Sequence, residues 1–183
     1  YTIDIYRERE TPAKNFWDFA LYVSYFPQLV AGPIERSVHL LPQFAKPRKV
    51  KPDQIYSGCQ LILMGYFKKM LIADSAAPLV KQVFDNPGSY GSLELTLGVY
   101  LFALQIYGDF AGYTDIARGV SRLFGIDLCL NFKQPYLATN ITEFWRRWHL
   151  SLSSWLRDYL YIPLGGNRKG TLKTYRNNMA TML

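Results

Sequence analysis

Apolar blocks separated by short charged turns run along the whole chain. After a polar opening from Tyr1 to Lys14, the stretch Phe16 to Ala31 (FWDFALYVSYFPQLVA) is aromatic and apolar, with Asp18 near its start and Pro27 inside it. Its sixteen residues fall short of the roughly 20 that cross a hydrocarbon core as a straight helix. The block therefore predicts a kinked or re-entrant helix shielded by neighbouring protein. Gly32-Pro33 ends it, PIERSVHLLPQF forms a short amphipathic piece, and Lys46 to Pro52 (KPRKVKP) is a solvated basic turn. Gln54 to Ala73 is long enough to cross a bilayer, with Lys68 and Lys69 near its far end, where their stems reach an interface. A loop or short helix follows through Asp85, and Asn86-Pro87-Gly88-Ser89 makes a turn. Leu93 to Tyr107 predicts a third apolar helix. The adjoining GDFAGYTDIARG places Gly108 and Gly112 four apart, with Gly119 two turns on. Small residues at that spacing let helix backbones approach closely inside a membrane.

The pattern changes at Asn131. Asn131 to Ala138 (NFKQPYLA) predicts an extended linker, and it delivers the chain to NITEFWRRWHLSLSSWLRDYLYIPLGGNR, Asn140 to Arg168. Asn140 with Glu143 three residues later is a helix-start pair. Glu143 and Arg147 are placed for an i,i+4 ion pair, and Pro163, Gly165 and Gly166 end the segment. These signals predict one helix of about five turns at about 3.6 residues per turn. Trp145, His149, Leu152 and Leu156 line one face, overlapped by Trp148, Leu152, Trp155 and Tyr159. A surface helix uses about three of seven positions for its apolar stripe, and a lipid-facing helix rejects adjacent arginines such as Arg146 and Arg147. A helix inside a membrane protein, around a polar cavity, accommodates both. Beyond it, GGNRKG is a basic glycine-rich loop without Walker spacing, where Arg168 and Lys169 could attract phosphates. Tyr175 to Leu183 reads as the opening of a further hydrophobic helix.

Ionisable residues on these apolar blocks are the candidates for chemistry. Asp109 and Asp115 stand among small residues on the third helix, where charged groups line a polar interior. Asp115 and Arg118 are three apart, so mutual compensation is the bland alternative, and a paired-carboxylate hydrolase is a rival needing a cleft that sequence does not show. His149 among Trp145, Trp148 and Trp155 suits proton transfer; its alternative is a hydrogen-bonded core histidine. His39 reads as a surface or interface residue and not a catalyst, since no base-and-orienter pair surrounds it.

Composition adds two constraints. Tyr 14, Phe 11 and Trp 4 are a high aromatic load, favoured where one side is wet and the other apolar, although the mean hydropathy of −0.06 alone would not suggest a membrane. The net charge of +7 admits nucleic acid, anionic lipid or an anionic substrate. No nucleic-acid motif accompanies the scattered basic residues, so nucleic acid is not the expected partner. Cys59 and Cys129 lack CxxC spacing, and no metal site or disulfide framework is expected. The start YTIDIYRERE carries no signal peptide pattern.

Three runs, VAGPIERSVHLLPQF (Val30 to Phe44), QIYGDFAGYTDIARGVSRLFGI (Gln105 to Ile126) and FWRRWHLSLSSWLRDYLYIPLGGNR (Phe144 to Arg168), stand in the order found in the membrane-bound O-acyltransferases. The chain resembles the bacterial branch of that family that O-acetylates alginate or transfers D-alanine to teichoic acid, from Tyr1 to Leu183. The resemblance implies an all-α, polytopic membrane bundle of which residues 1–183 form an interior part of a single domain, in the inner membrane; in such a protein the basic Lys46–Lys51 turn is expected to stay cytoplasmic. It implies transfer of an acyl group, acetyl being the one expected, from a cytoplasmic donor such as acetyl-CoA or an acyl carrier towards an exported polysaccharide or carrier. D-alanyl transfer and a non-catalytic scaffold or transporter are the alternatives, and a soluble helical binding module is a third. No bound cofactor is expected, and the partners implied are the bilayer, the donor and a periplasmic or extracellular acyltransferase. The family's principal histidine stands in a Trp-His-Gly motif downstream of an Arg-Asn pair, here Arg176-Asn177. Neither His39 nor His149 stands in such a motif, so that residue is expected beyond Leu183 and the chain is expected to be inactive alone. His149 matches the other family histidine. Trp145, Arg146, Arg147, Trp148, Trp155, Arg157, Asp109 and Asp115 are the expected substrate-binding residues.

Overall fold

The computed structural model describes residues 1–168 and 170–182, and among these the chain is helical with no strand. It divides into two compact units, Tyr1–Leu128 and Cys129–Leu183.

The first unit is built on a helical hairpin. One arm runs from α4 (Pro52–Tyr66) through a π-helical stretch (Phe67–Ala73) into α5 (Asp74–Asp85). The other is α6 (Ser92–Leu123), whose 32 residues span about 48 Å at 1.5 Å per residue. Pro52 opens α4 at a position where its missing N–H costs nothing. Pro78 has no N–H to return to Asp74, where the π stretch hands over to α5. The turn between the arms is the expected one, closed by a 3₁₀ turn at Pro87–Ser89, and Glu94 caps α6 through the Gly91 amide at 2.6 Å.

Glycine sets how near the arms come. A Cβ at Gly65 would lie 2.6 Å from the Gly112 carbonyl oxygen, and one at Gly119 would lie 2.6 Å from the Gly58 oxygen. One at Gly108 would lie 2.9 Å from the Lys68 oxygen. The expected stripe of Gly108, Gly112 and Gly119 is therefore the contact surface, and its partners are Gly58 and Gly65. The buried residues of α6 are small ones, Gly98, Gly108, Ala111, Gly112, Thr114, Ala117, Gly119 and Ser121. Its large apolar side chains point outward, Leu93 being 71% exposed and Tyr100 67%. This is the reverse of a soluble helix, where large apolar residues fill the core. Ser92–Leu123 is long and apolar enough to cross a membrane. Among the described residues it is the one helix of that length and hydropathy, and α2 (Phe16–Ser24) is short, the chain breaking at extended Tyr25 before a 3₁₀ turn at Phe26–Gln28 that holds Pro27. That break is the kink expected within Phe16–Ala31. A short α1 (Thr2–Tyr6) precedes it, and α3 (Ser37–Ala45) follows. Tyr25, Leu40, Ile126 and Leu128 form the local core.

The second unit holds α7 (Ile141–Trp145), α8 (Leu150–Leu156), a π-helical stretch at Arg157–Tyr161, a turn and α9 (Thr171–Met182). The single helix expected from Asn140 onward is broken. Its start is as expected: Asn140 accepts the Glu143 amide at 2.8 Å, and Glu143 accepts the Thr139 amide at 2.9 Å. After Trp145 the chain turns and His149 takes a left-handed conformation with φ 45°. The cause lies outside the segment. The Leu150 N–H goes to the Asn131 carbonyl at 2.9 Å, and the Lys133 N–H goes to the Arg147 carbonyl at 2.9 Å. The linker, which turns at left-handed Gln134 (φ 47°) and a 3₁₀ turn at Pro135–Leu137 instead of staying extended as expected, thus takes the bonds that a continuous helix would have made for itself. The segment does end at the glycines: Gly166, φ 53°, returns its N–H to the Tyr161 carbonyl at 2.9 Å, and buried Asn177 of α9 donates to the Gly166 carbonyl at 2.9 Å. α9 is a helix where one was expected, but it starts at Thr171 and is polar, carrying Lys173, Arg176, Asn177 and Asn178. Of the basic pair in the preceding loop, Lys169 lies outside the described residues, as does Leu183.

Candidate functional site

The break at His149 forms one wall of a cavity of about 740 Å³ in the second unit. Trp145, Arg146, Trp148, His149, Leu152 and Arg157 line it, and Asn178 and Thr181 of α9 close the far side. Five of the residues expected to bind substrate or act on it therefore face one space: Trp145, Arg146, Trp148, His149 and Arg157. They do so because the helix is broken, not because they share a face of an unbroken one.

Two others from the same segment are occupied elsewhere. Arg147 ion-pairs with Glu143 one turn back and reaches the Gln134 carbonyl at 3.5 Å. Trp155 packs on Tyr159 with ring centroids 5.2 Å apart. Arg157, although on the cavity wall, donates to Asp158 at 2.8 Å. Arg146 carries no ion pair among the described residues, which makes it the cation available to an anionic group in the cavity.

Aromatic rings brace the break. Phe132 meets Trp148 edge-on at 5.0 Å between centroids and lies nearly parallel to the His149 ring at 6.3 Å. Phe144 stacks on Trp148 at 5.5 Å and on Tyr136 at 6.1 Å. His149 Nδ1 sits 2.8 Å from Asn131 Oδ1. His149 lies outside the helix able to cross a membrane, and burial lowers its pKa from the ordinary 6.5, because a desolvated imidazole resists taking a charge. At pH 7 the ring is neutral and able to accept a proton.

Asp109 and Asp115 belong to the first unit, each held by lysine from the π-helical stretch. Asp115 accepts Lys68 at 2.5 Å and lies 3.6 Å from Arg118, the compensation foreseen for that pair. Asp109 is 2.6 Å from Lys69, which also reaches Asp74 at 2.9 Å. Lys69, Asp109 and Tyr113 line a separate cavity of about 510 Å³ with Val30 and Ala31. Both lysines lie in the π-helical stretch Phe67–Ala73, a geometry common at working sites.

Sequence reasoning missed three polar residues. Asn131, 1% exposed, and Ser151, 5% exposed, flank His149; a lone asparagine inside LCLNF was the available signal. Glu35, 6% exposed, lies 2.8 Å from His39 Nδ1. His39 thus has the carboxylate orienter it was expected to lack, signalled by the i,i+4 spacing of Glu35 and His39.

With this geometry established, the relatives of the chain are informative. The sequence model of the membrane-bound O-acyltransferase family matches residues 9–183. A probable alginate O-acetylase of Pseudomonas putida is 47% identical over 185 residues, covering 100% of this chain and 37% of that protein. A peptidoglycan O-acetyltransferase of Helicobacter pylori is 43% identical, over 92% of this chain and 32% of its own length. A teichoic acid D-alanyltransferase of Bacillus subtilis is 33% identical, over 77% of this chain and 36% of its own length. The chain spans well under half the length of these relatives.

Proposed function

The chain belongs to the membrane-bound O-acyltransferase family, and from that premise we propose that the whole protein O-acylates an exported polysaccharide, with acetyl the group moved. Family membership makes it a membrane protein. The acetyl assignment is supported by the greater identity to the alginate O-acetylase than to the D-alanyltransferase, 47% against 33%. D-alanyl transfer is the second reading. The donor is a cytoplasmic thioester such as acetyl-CoA or an acyl carrier, and the acceptor is the polysaccharide or a carrier handed to a periplasmic acyltransferase. Both units belong to one multi-pass inner-membrane domain, with the Lys46–Lys51 turn cytoplasmic.

The observation that carries this reading is the cavity that gathers His149, Trp145, Trp148, Arg146 and Arg157. Acyl transfer requires a base for the acceptor's proton and positive groups for the developing oxyanion. The acceptor oxygen attacks the thioester carbonyl as its proton passes to an imidazole. The tetrahedral oxyanion, held by a guanidinium, then collapses, the carbon–sulfur bond breaks, and the proton returns to the departing sulfur. Arg146 is placed for the oxyanion or the donor's anionic end, and the tryptophans exclude water that would hydrolyse the thioester. His149 serves as that imidazole or works beside the histidine of the family's Trp-His-Gly motif.

The test is transfer of labelled acetyl from donor to acceptor by the purified full-length protein. His149→Ala is expected to lower turnover by about 10² to 10⁴, the span of general acid–base groups. Binding of donor without turnover in the wild type would identify a scaffold or transporter instead.

A further inference from the structure

Asn131 is 1% exposed and makes its side-chain bonds through oxygen alone: among the described residues its amide nitrogen has no partner. Three donors converge on that oxygen. The Ser151 backbone N–H lies 3.4 Å from Oδ1, the Ser151 hydroxyl donates to it at 2.9 Å, and His149 Nδ1 lies at 2.8 Å. A backbone N–H only donates, so the amide oxygen, not its nitrogen, faces this side. Its orientation then decides the imidazole. A nitrogen 2.8 Å from a carbonyl oxygen must carry the hydrogen, so neutral His149 is the Nδ1–H tautomer with its lone pair on Nε2.

The backbone enforces the same arrangement. Leu150 N–H bonds the Asn131 carbonyl at 2.9 Å, and the left-handed turn at His149, φ 45°, folds the ring back over the linker. Phe132, the next residue, lies along the ring face at 6.3 Å between centroids. Asn131 and Phe132 thus fix both which nitrogen is protonated and how the ring is turned.

We propose that Asn131 is the positioning residue of this site, holding His149 as the Nδ1–H tautomer so that Nε2 is the nitrogen that accepts the acceptor's proton. The role of Asn131 rests on the acyltransferase reading above, whereas the tautomer it imposes does not.

The experiment uses the full-length protein with ¹⁵N-labelled histidine, His149 being assigned by the signal lost in His149→Gln. Above the titration range the wild type is expected to show a protonated Nδ1 and an unprotonated Nε2. In Asn131→Leu the ring is expected to revert towards Nε2–H, and kcat to fall about 10- to 100-fold, the size of loss seen when the partner that orients a metal-ligating histidine is removed. KM should hardly move. Asn131→Asp keeps an acceptor for all three donors and should preserve the Nδ1–H tautomer and restore kcat. Its added charge should move the acid limb of the pH–rate profile upward. An unmoved limb would mean that residue 131 does not face the working ring, and would overturn the proposal. A wild-type ring protonated at Nε2, or a folded Asn131→Leu protein with normal kcat, overturns the proposal. Should Asn131→Leu fail to fold, the wild-type tautomer and the Asn131→Asp limb still decide. Full activity of His149→Gln would overturn the acyltransferase role of His149, and so of Asn131, while the ¹⁵N shifts report the hydrogen bond independently.

Discussion

Between α4 and α6 the contact is backbone on backbone: Gly58 against Gly119 and Gly65 against Gly112, with large apolar side chains turned outward. Around His149 the contact is side chain on side chain, a buried amide gathering an imidazole, a hydroxyl and a backbone N–H. At those glycines the first arrangement leaves little room for a side chain, and it fixes distance. The second leaves a polar group orphaned and a residue in left-handed geometry, conditions that cost about 1–3 kcal/mol each. On the function proposed above, the hairpin serves as scaffold and the bend as site.

The sharpest way to break this division is to widen the hairpin. Gly65→Val would drive a branched side chain into a carbonyl oxygen already 2.6 Å from an added Cβ. The cost is expected at or above the ~3 kcal/mol upper end of ordinary overpacking. Membrane extracts should yield little monodisperse protein, whereas Gly88→Ala, with nothing within 4 Å, should purify normally. A normal yield of Gly65→Val would mean that the arms are not held by contact.

The two regions also differ in how far they could be read from sequence. Gly108, Gly112 and Gly119 announced close packing because the contact needs small residues at helical spacing, and spacing is local. The capping by Asn140 and Glu143 was equally legible. The break after Trp145 was not, since every local signal favours helix there and the opposing bonds come from Asn131 and Lys133, far upstream in the chain. The gathering of Trp145, Arg146, Trp148, His149 and Arg157 was foreseen as a group, but for a helix that does not exist. Glu35 beside His39 was legible from its i,i+4 spacing.

Asp115 and Asp109 sharpen the comparison from the scaffold side. Asp115→Asn leaves Lys68 and Arg118 without their carboxylate, with 22% and 16% of their side chains exposed. The expected loss is about 2–3 kcal/mol, just under the cost of breaking a fully buried pair. Acetyl-transfer KM should stay unchanged in the folded protein; a large rise would restore Asp115 to substrate binding. Asp109→Asn breaks a pair whose side chains are 43% and 57% exposed, and thermal unfolding should register under about 1 kcal/mol.

A smaller but signed effect belongs to pH. Burial lowers the His149 pKa from 6.5, so the folded protein binds fewer protons there than the unfolded chain once pH drops below that value. Its contribution to stability is complete above pH 6.5 and is lost as pH falls through the lowered folded value. The acid limb of kcat/KM should accordingly have its midpoint below 6.5, measured with a donor that does not titrate in that range. A midpoint above 6.5 would place a carboxylate, not burial, in control of the ring.

The division between scaffold and site is tested most directly by His149→Gln in the full-length protein, assayed for turnover of labelled acetyl donor alongside its thermal unfolding. Glutamine keeps a hydrogen-bonding group at the bend but has no basic nitrogen to carry the proton. Turnover is expected to drop by about 10² to 10⁴ with unfolding nearly unchanged. A well-folded His149→Gln protein that transfers acetyl at the normal rate would contradict the account and make the bend at His149 part of the scaffold.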